Sequence, residues 1–243
     1  MVLVDFNGLA IGSIMGQLSR GEELSENLVK HIIINNLRVY RNKYKEADYG
    51  KMVIACDSYS WRKDVFPEYK AARKANRATD KHDWPMIFDL IEDTLNDLRE
   101  NFPYAVIKID SAEADDIIGA LTVHKSTPLI GEDVVIISAD KDFIQLQQYG
   151  HVIQWSPMFN KMVKEDNPRR YLFEHLLKGD SGDGVPNANS HDDVFVTAAR
   201  QTPMTKKAID KYWDNRDDLE MIMKPNVFRN FMRNVQMIDL TNT

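Results

Sequence analysis

Apolar residues gather in short runs that close on an acid: VLVD at 2–5, MVIACD at 52–57, AVIKID at 105–110 and VVIISAD at 134–140, with a fifth run, HVIQW, at 151–155. Runs of this length, rich in Val and Ile, read as strands buried on both faces. Between them the apolar spacing turns helical. From about Leu24 to Ala47 a long amphipathic stretch has Ser25 as its N-cap and Leu28, Ile32, Leu37 and Val39 as its buried stripe. Asp83-Trp84-Pro85 opens another helix, an N-cap Asp followed by an early Pro, which ends before Asn101-Phe102-Pro103. EADD at 113–116 opens a further helix, and 141–148 forms a short one. This alternation predicts an α/β fold, a mostly parallel central sheet flanked by helices.

Two stretches break the pattern. Segment 58–82 contains Pro67 and little helical periodicity before its second half, and is expected to be mobile without a partner. After Trp155 strand signals vanish, and helix starts recur at Asn167-Pro168, Ser190, Thr202-Pro203 and Pro225. The expected division is an α/β core over 1–183, carrying segment 58–82, and a helical C-terminal lobe over 184–243. The chain stops at Thr243 just past a helix end at 237–240, which reads as a truncated end.

Composition adds bounds rather than a function. With 43% hydrophobic and 28% charged residues, and no apolar run near the ~20 residues a membrane span requires, the chain reads as soluble. Asp5 would interrupt any signal-peptide core. A single cysteine, Cys56, excludes an intramolecular disulfide, suits a reducing cytoplasm, and reads as a small buried hydrophobe. The net charge of −6 argues at first against nucleic acid. Its distribution reverses that argument. Between Arg62 and Arg77 six basic residues (Arg62, Lys63, Lys70, Arg73, Lys74, Arg77) face two acidic ones (Asp64, Glu68), so a basic stripe lies inside an acidic total.

The strand-closing acids carry the chemistry. In an open parallel sheet the carboxyl ends of the strands form the ligand-binding edge, so Asp5, Asp57, Glu113, Asp115, Asp140 and Asp142 are directed to one place. Any one such Asp serves equally well as a turn former or N-cap; several together do not reduce to that. Clustered carboxylates repel unless a cation intervenes, and oxygen donors without patterned His or Cys select Mg²⁺ or Mn²⁺ over zinc. The six histidines show no ligand spacing. Two such ions about 3.5–4 Å apart form a clamp for phosphoryl transfer, and phosphodiester hydrolysis is the natural reaction. There is no GxxxxGK[ST] loop, no GxSxG elbow and no Cys-His arrangement, and Asn7 stands where an aspartyl-phosphate phosphatase needs a second Asp.

LVDFNG, VIACDS, FPEYKAARK, EADDIIGAL, ISADKDFIQL and LKGDSGDGVPN, in this order from Val2 to about Asn187, together resemble the 5′-nuclease (flap endonuclease) superfamily, and QWSPM after the fifth strand points to its T-even phage ribonuclease H branch. The resemblance implies metal ligands Asp5, Asp57, Glu113 and Asp115 around a first ion and Asp140, Asp142, Asp180 and Asp183 around a second, with Asp115 able to bridge. The ions would be two Mg²⁺, with Mn²⁺ able to substitute. Asp110 reads as a solvated turn residue, and Asp116 equally as a helix-start charge. Tyr69, Lys70 and Arg73 match the family's Tyr-Lys-x-x-Arg element. Lys70 and Arg73, three apart on one helical face, would stabilise the scissile phosphate beside the catalytic acids Asp115 and Asp140. Segment 58–82 would be the family's arch or bridge over a single-stranded 5′ end. Arg62, Lys63, Tyr69, Lys70, Arg73 and Lys74 would bind nucleic acid there, Trp61, Phe66 and Tyr69 offer rings for stacking, and Lys206 and Lys207 would bind duplex backbone.

One departure is plain. Many family members follow GDxxDN with a Gly-rich GxGxK turn that grips duplex phosphates and a potassium ion; here Gly184 stands where Asn is common and 185–190 reads VPNANS, without those glycines. No C-terminal sliding-clamp peptide is visible. The resemblance implies a monomeric Mg²⁺-dependent 5′ nuclease in the host cytoplasm. It would act on 5′-flap, nicked or forked duplex DNA and RNA-DNA hybrid, remove RNA primers and adjacent DNA from lagging-strand fragments in the 5′ to 3′ direction, and keep company with a sliding clamp and a single-strand-binding protein. Two alternatives are a PIN-type ribonuclease, shorter and without the Tyr-Lys-x-x-Arg and GDxxD blocks, and a non-catalytic junction-binding protein, which would have lost acids.

Overall fold

The Val- and Ile-rich runs pair into a six-stranded sheet in the computed structural model, which describes residues 1–127 and 130–241 apart from the side chains of Lys74 and Ala75. In chain order the elements are β1 (Val2–Asp5), α1 (Phe6–Leu18), α2 (Glu26–Lys43), α3 (Glu46–Tyr49), β2 (Met52–Cys56), α4 (Arg62–Val65), α5 (Ala71–Ala78), α6 (Trp84–Asn101), β3 (Ala105–Lys108), α7 (Ala114–Lys125) and β4 (Val134–Ile137). A 3₁₀ turn (Asp142–Gln148), β5 (Val152–Ser156), β6 (Lys161–Val163), α8 (Pro168–Lys178), α9 (Lys206–Asp214), α10 (Leu219–Ile222) and α11 (Pro225–Ile238) follow. No described helix is long and apolar enough to cross a membrane.

Strand order is β3-β2-β1-β4-β5-β6. The first five run parallel and β6 pairs antiparallel with β5, with Val4 opposite Ile54 on one side and Ile137 on the other. The order reverses between β1 and β4, and at such a switch point the strand ends leave an open crevice. Side chains alternate across the sheet: Val2, Val4, Ile54, Cys56, Val135 and Ile137 face α1, α2 and α6 in one fully buried core, while α7 contacts β1, β2 and β4. Burial pushes the Cys56 thiol up to about 12, which leaves it an inert core residue.

The chain divides into two compact units, Met1–Ser60 with His82–Lys164, and Trp61–Lys81 with Glu165–Thr243. This differs from the boundary at 183/184 expected from composition. Segment 61–81 groups with the helical region because Phe66 and Tyr69 are buried in its core with Phe173, Leu177, Val185, Val227 and Phe231.

Several element expectations are corrected. A helix absent from the sequence reading, α1, starts directly after β1: Asp5 is its N-cap and accepts the Gly8 N–H. The buried stripe of α2 is Val29, Ile33, Leu37 and Tyr40, a clean i, i+4, i+8, i+11 row, so Leu28 and Ile32 lie at its margin and Val39 is exposed. A sixth strand follows Trp155. No helix starts at Ser190, and the one expected at Thr202-Pro203 begins at Lys206 on the cap Thr205. Ser25, Asp83 and Asn167 cap their helices as their sequence positions indicate.

Candidate metal centre and phosphate-binding cluster

Asp5 ends β1 at the switch point, and its carboxylate is buried and held at both oxygens. Oδ1 accepts the Gly8 N–H at 3.0 Å and Oδ2 accepts the Ser138 hydroxyl at 2.7 Å. The glycine of LVDFNG has a specific reason: a Cβ at Gly8 would lie 2.9 Å from Asp5 Cγ. Burial, with the nearby Asp57 and more weakly Asp140 adding to it, outweighs these hydrogen bonds and raises the Asp5 carboxyl from 3.8 to about 6.

Asp57 follows β2. Its backbone N–H donates to Asn7 Oδ1 at 3.3 Å, and its Oδ1 accepts the Ala114 N–H at the start of α7 at 2.9 Å. Glu113 caps that helix and is buried, with Oε2 accepting the Ser60 hydroxyl at 2.7 Å. Asp116 is buried too, and its role is structural: it accepts the Glu113 N–H at 2.9 Å in a capping box. Asp115, half-buried, lies between them on the first turn of α7, and Asp110 is exposed. Beyond β4, the Asp140 N–H donates to Ser138 Oγ at 3.0 Å, and the Asp142 N–H donates to Asp140 Oδ1 at 2.9 Å. Gln154 on β5 donates to the Ser138 and Asp140 carbonyls at 3.1 and 2.5 Å, fixing the loop.

In the first unit, then, Asp57 and Asp140 both act electrostatically on Asp5, and Glu113 caps the helix α7 whose Ala114 N–H donates to Asp57. Hard oxygen donors, a buried acid and mutual repulsion together fit a divalent cation. Sequence reasoning missed the neutral residues that hold these acids: Asn7, Ser60, Ser138 and Gln154. Nothing in their local pattern marks them, since each meets its partner through the fold. Asn7 and Ser138 could be found only as polar neighbours of the acidic motifs.

Asp180 and Asp183 belong to the second unit. Asp180 Oδ1 accepts the N–H groups of Gly182 and Asp183 at 2.7 and 3.1 Å, and His175 Nε2 lies 3.6 Å from its other oxygen. Burial alone would raise its carboxyl; His175 and those two N–H groups overcome burial and lower it. Asp183 receives the basic stripe: Tyr69 donates its hydroxyl to Oδ2 at 2.9 Å, Lys70 Nζ lies 3.3 Å from the same oxygen, and Arg73 pairs with Oδ1. Gly184, with φ of +74°, approaches so closely that a Cβ would lie 2.9 Å from the Glu68 carbonyl oxygen. Where the family favours Asn, this chain needs glycine.

Two residues of the expected nucleic-acid set are used otherwise. Arg62 is 2% exposed and donates through Nε to the Met237 carbonyl at 2.8 Å. Tyr69 is 3% exposed, so its ring is core and its hydroxyl alone reaches the cluster. Phe66 packs in the same core. Lys63, Arg73, Lys206 and Lys207 are exposed and Lys70 half-buried; the Lys74 side chain lies outside the described residues. In place of the glycine turn, the carbonyls of Pro186, Ala188 and Ser190 accept from the side-chain amides of Asn234 and Asn230.

Residues 1–172 match the family described as 5′-3′ exonuclease, N-terminal resolvase-like domain. The chain belongs to this 5′-3′ exonuclease family. It is 30% identical to ribonuclease H of Enterobacteria phage T4, over 98% of this chain and 80% of that protein. It is 32% identical to flap endonuclease Xni of Shewanella pealeana, over 59% of this chain and 55% of that protein. The fold is that of T5 D15 protein co-crystallised with metal ions, with a TM-score of 0.70, 16% identity, and coverage of 99% of this chain and 89% of that one. A variant of the T5 D15 flap endonuclease, solved as a pseudo-enzyme-product complex with DNA and metal ions, superposes with a TM-score of 0.70 at 18% identity, again over 99% of this chain and 89% of that one. Family membership makes the chain a nuclease, a hydrolytic phosphodiesterase.

Proposed function

We propose that the chain is a Mg²⁺-dependent, structure-specific 5′ nuclease that removes RNA primers and adjacent DNA during lagging-strand replication by 5′ to 3′ exonuclease action, with flap endonuclease capacity. The observation that carries this reading is the buried, doubly hydrogen-bonded Asp5 at the switch point, destabilised as an anion by Asp57 and Asp140. A carboxylate cluster held open against its own repulsion is a site built for cations. Relatives named ribonuclease H and flap endonuclease support this reading, in which the substrates are 5′-flap, nicked or forked duplex DNA and RNA-DNA hybrid.

In this reading Asp5, Asp57, Glu113, Asp115, Asp140 and Asp142 of the first unit would hold two Mg²⁺ ions. When bound, the ions supply an activated water and charge neutralisation at the leaving oxygen. Ser138, Ser60 and the Gly8 and Ala114 N–H groups orient the carboxylates, so that little rearrangement accompanies reaction. Lys70 and Arg73 give cations to the scissile phosphate, and exposed Lys63, Lys206 and Lys207 contact the nucleic-acid backbone. The protein acts as a monomer in the host cytoplasm, alongside a clamp and a single-strand-binding protein.

A labelled 5′-flap duplex and a primer-bearing hybrid, incubated with Mg²⁺ or with EDTA, test this directly. Junction-dependent cleavage only with metal is expected; metal-independent or junction-blind cleavage would contradict it.

A further inference from the structure

We propose that the cavity where β2 and β3 begin, on the sheet edge opposite Asp5 and Asp57, is a second, non-catalytic site for a nucleoside 5′-phosphate. The ligand is either a free mononucleotide or the terminal nucleotide of a single strand. Every residue lining the cavity belongs to the first unit.

The cavity encloses about 360 Å³, at the lower end of the roughly 300–1,000 Å³ typical of small-ligand sites. Its walls come from the end of α2, from α3, and from the residues that lead into β2 and β3. Those two strands pair in parallel, so their starts share one edge of the sheet and Asp57 lies at the other. The five residues of β2 put roughly 16 Å between them.

Buried Tyr44 and Met52 give the cavity an apolar lining, and exposed Arg41, Glu46 and Lys51 give it charge. Tyr104 is half-buried and backed by Phe102 in a near-parallel stack, with ring centroids 6.1 Å apart and planes 7° from parallel. A ring held this way is a platform on which any base can stack. The Arg41 guanidinium carbon lies 5.7 Å from the Tyr104 centroid, close to the limit of about 6 Å for a cation–π contact. Its pair with Glu46 is 3.9 Å long between side chains 43% and 56% exposed, so a phosphate that takes Arg41 gives up little. Among the described residues the Lys51 ammonium has no hydrogen-bond or ion-pair partner. A guanidinium and an ammonium beside a backed aromatic ring suit a phosphate joined to a base: the cations take phosphate oxygens and Tyr104 takes the base. Glu46 can accept from a base amino group or a sugar hydroxyl. Nucleotides ending in a phosphate are also what phosphodiester hydrolysis leaves, so this ligand is present wherever a nuclease works.

The test is calorimetric titration in EDTA with deoxyadenosine 5′-monophosphate, with inorganic phosphate, and with a short single strand carrying a 5′-phosphate. The double variant Arg41→Gln, Lys51→Gln should weaken mononucleotide binding by about tenfold or more. Tyr104→Leu should weaken it by about fivefold or more while leaving inorganic phosphate within about twofold. Lys70→Ala should leave it unchanged, since that residue belongs to the other unit. The strand separates the two sources: if its binding also weakens in Lys51→Gln the ligand is a strand end, and if the mononucleotide alone weakens the ligand is free nucleotide. If neither weakens, the proposal is overturned. A loss in Lys70→Ala with none in Lys51→Gln, or a Tyr104→Leu variant that binds mononucleotide like wild type, also overturns it. Should Tyr104→Leu fail to fold, the wild-type protein decides the role of the ring: a preference for mononucleotide over inorganic phosphate supports the site, and equal affinity overturns it. These titrations contain no cleavage step, so their outcome is independent of whether the protein cuts a flap.

Discussion

Ser138 donates its hydroxyl to Asp5 Oδ2 at 2.7 Å across 133 residues of chain, and the same oxygen atom of Ser138 accepts the Asp140 N–H at 3.0 Å. One neutral side chain thus ties together the acids on either side of the switch point. Ser138→Ala leaves a buried carboxylate oxygen and a backbone N–H without this partner, at a cost of about 1–3 kcal/mol. The hydrogen bond favours the ionised form, so its removal raises the Asp5 carboxyl further. Denaturant unfolding and the acidic limb of the pH–rate profile report the two effects; a limb shifted to lower pH would contradict the assigned role.

Asp5 also sets a pH dependence in the metal-free protein. Its folded value of about 6 lies above the ordinary 3.8, so its contribution favours the fold fully below about pH 4 and is lost as pH rises through 6. The loss amounts to about 3 kcal/mol. Thermal unfolding in EDTA should show this decline between pH 4 and 6.5. Mg²⁺ should restore stability at the higher pH, and Asp5→Asn should flatten the profile.

Gly8→Ala should invert the usual expectation for a helix. Alanine in place of glycine ordinarily stabilises a helix by about 0.5–1 kcal/mol, but here the added carbon would lie 2.9 Å from Asp5 Cγ. Lower stability and weaker Mn²⁺ binding are expected together, measured by unfolding and by metal titration. Stabilisation with unchanged metal affinity would show that Asp5 has room to move.

Asp140→Asn should abolish hydrolysis while leaving junction binding within a few-fold of wild type. A gel-shift in EDTA and a cleavage assay in Mg²⁺ separate the two. Full activity in this variant would remove Asp140 from the metal centre.

Arg62 and Lys63 are neighbours with opposite fates. Arg62 is buried beneath Trp61, with its guanidinium carbon 4.8 Å from that ring, and donates to Met237. Arg62→Ala should destabilise the second unit by about 3 kcal/mol through lost packing and an abandoned carbonyl. Lys63→Ala should leave the melting temperature unchanged and lower the salt slope of DNA binding by up to about 1. Differential scanning calorimetry beside salt-dependent binding distinguishes these outcomes.

Much of this protein is written in short-range patterns. Val- and Ile-rich runs ending in acids marked β1, β2 and β4, because a strand buried on both faces has no polar position to offer before its end. Ser25, Asp83 and Asn167-Pro168 marked helix starts, because a cap answers N–H groups only two or three residues away. The acids and the Tyr-Lys-x-x-Arg element were legible for the same reason: each is a local string. What tertiary structure decided is which partner each group meets. Arg62 looked like part of a basic stripe and is core, and Tyr69 looked like a stacking ring and offers only its hydroxyl. Ser138, Ser60 and Asn7 looked ordinary and position the acids from 133, 53 and 50 residues away. Local sequence determines backbone form and available chemistry; long-range packing alone determines whether a charge faces water, a carbonyl or another charge.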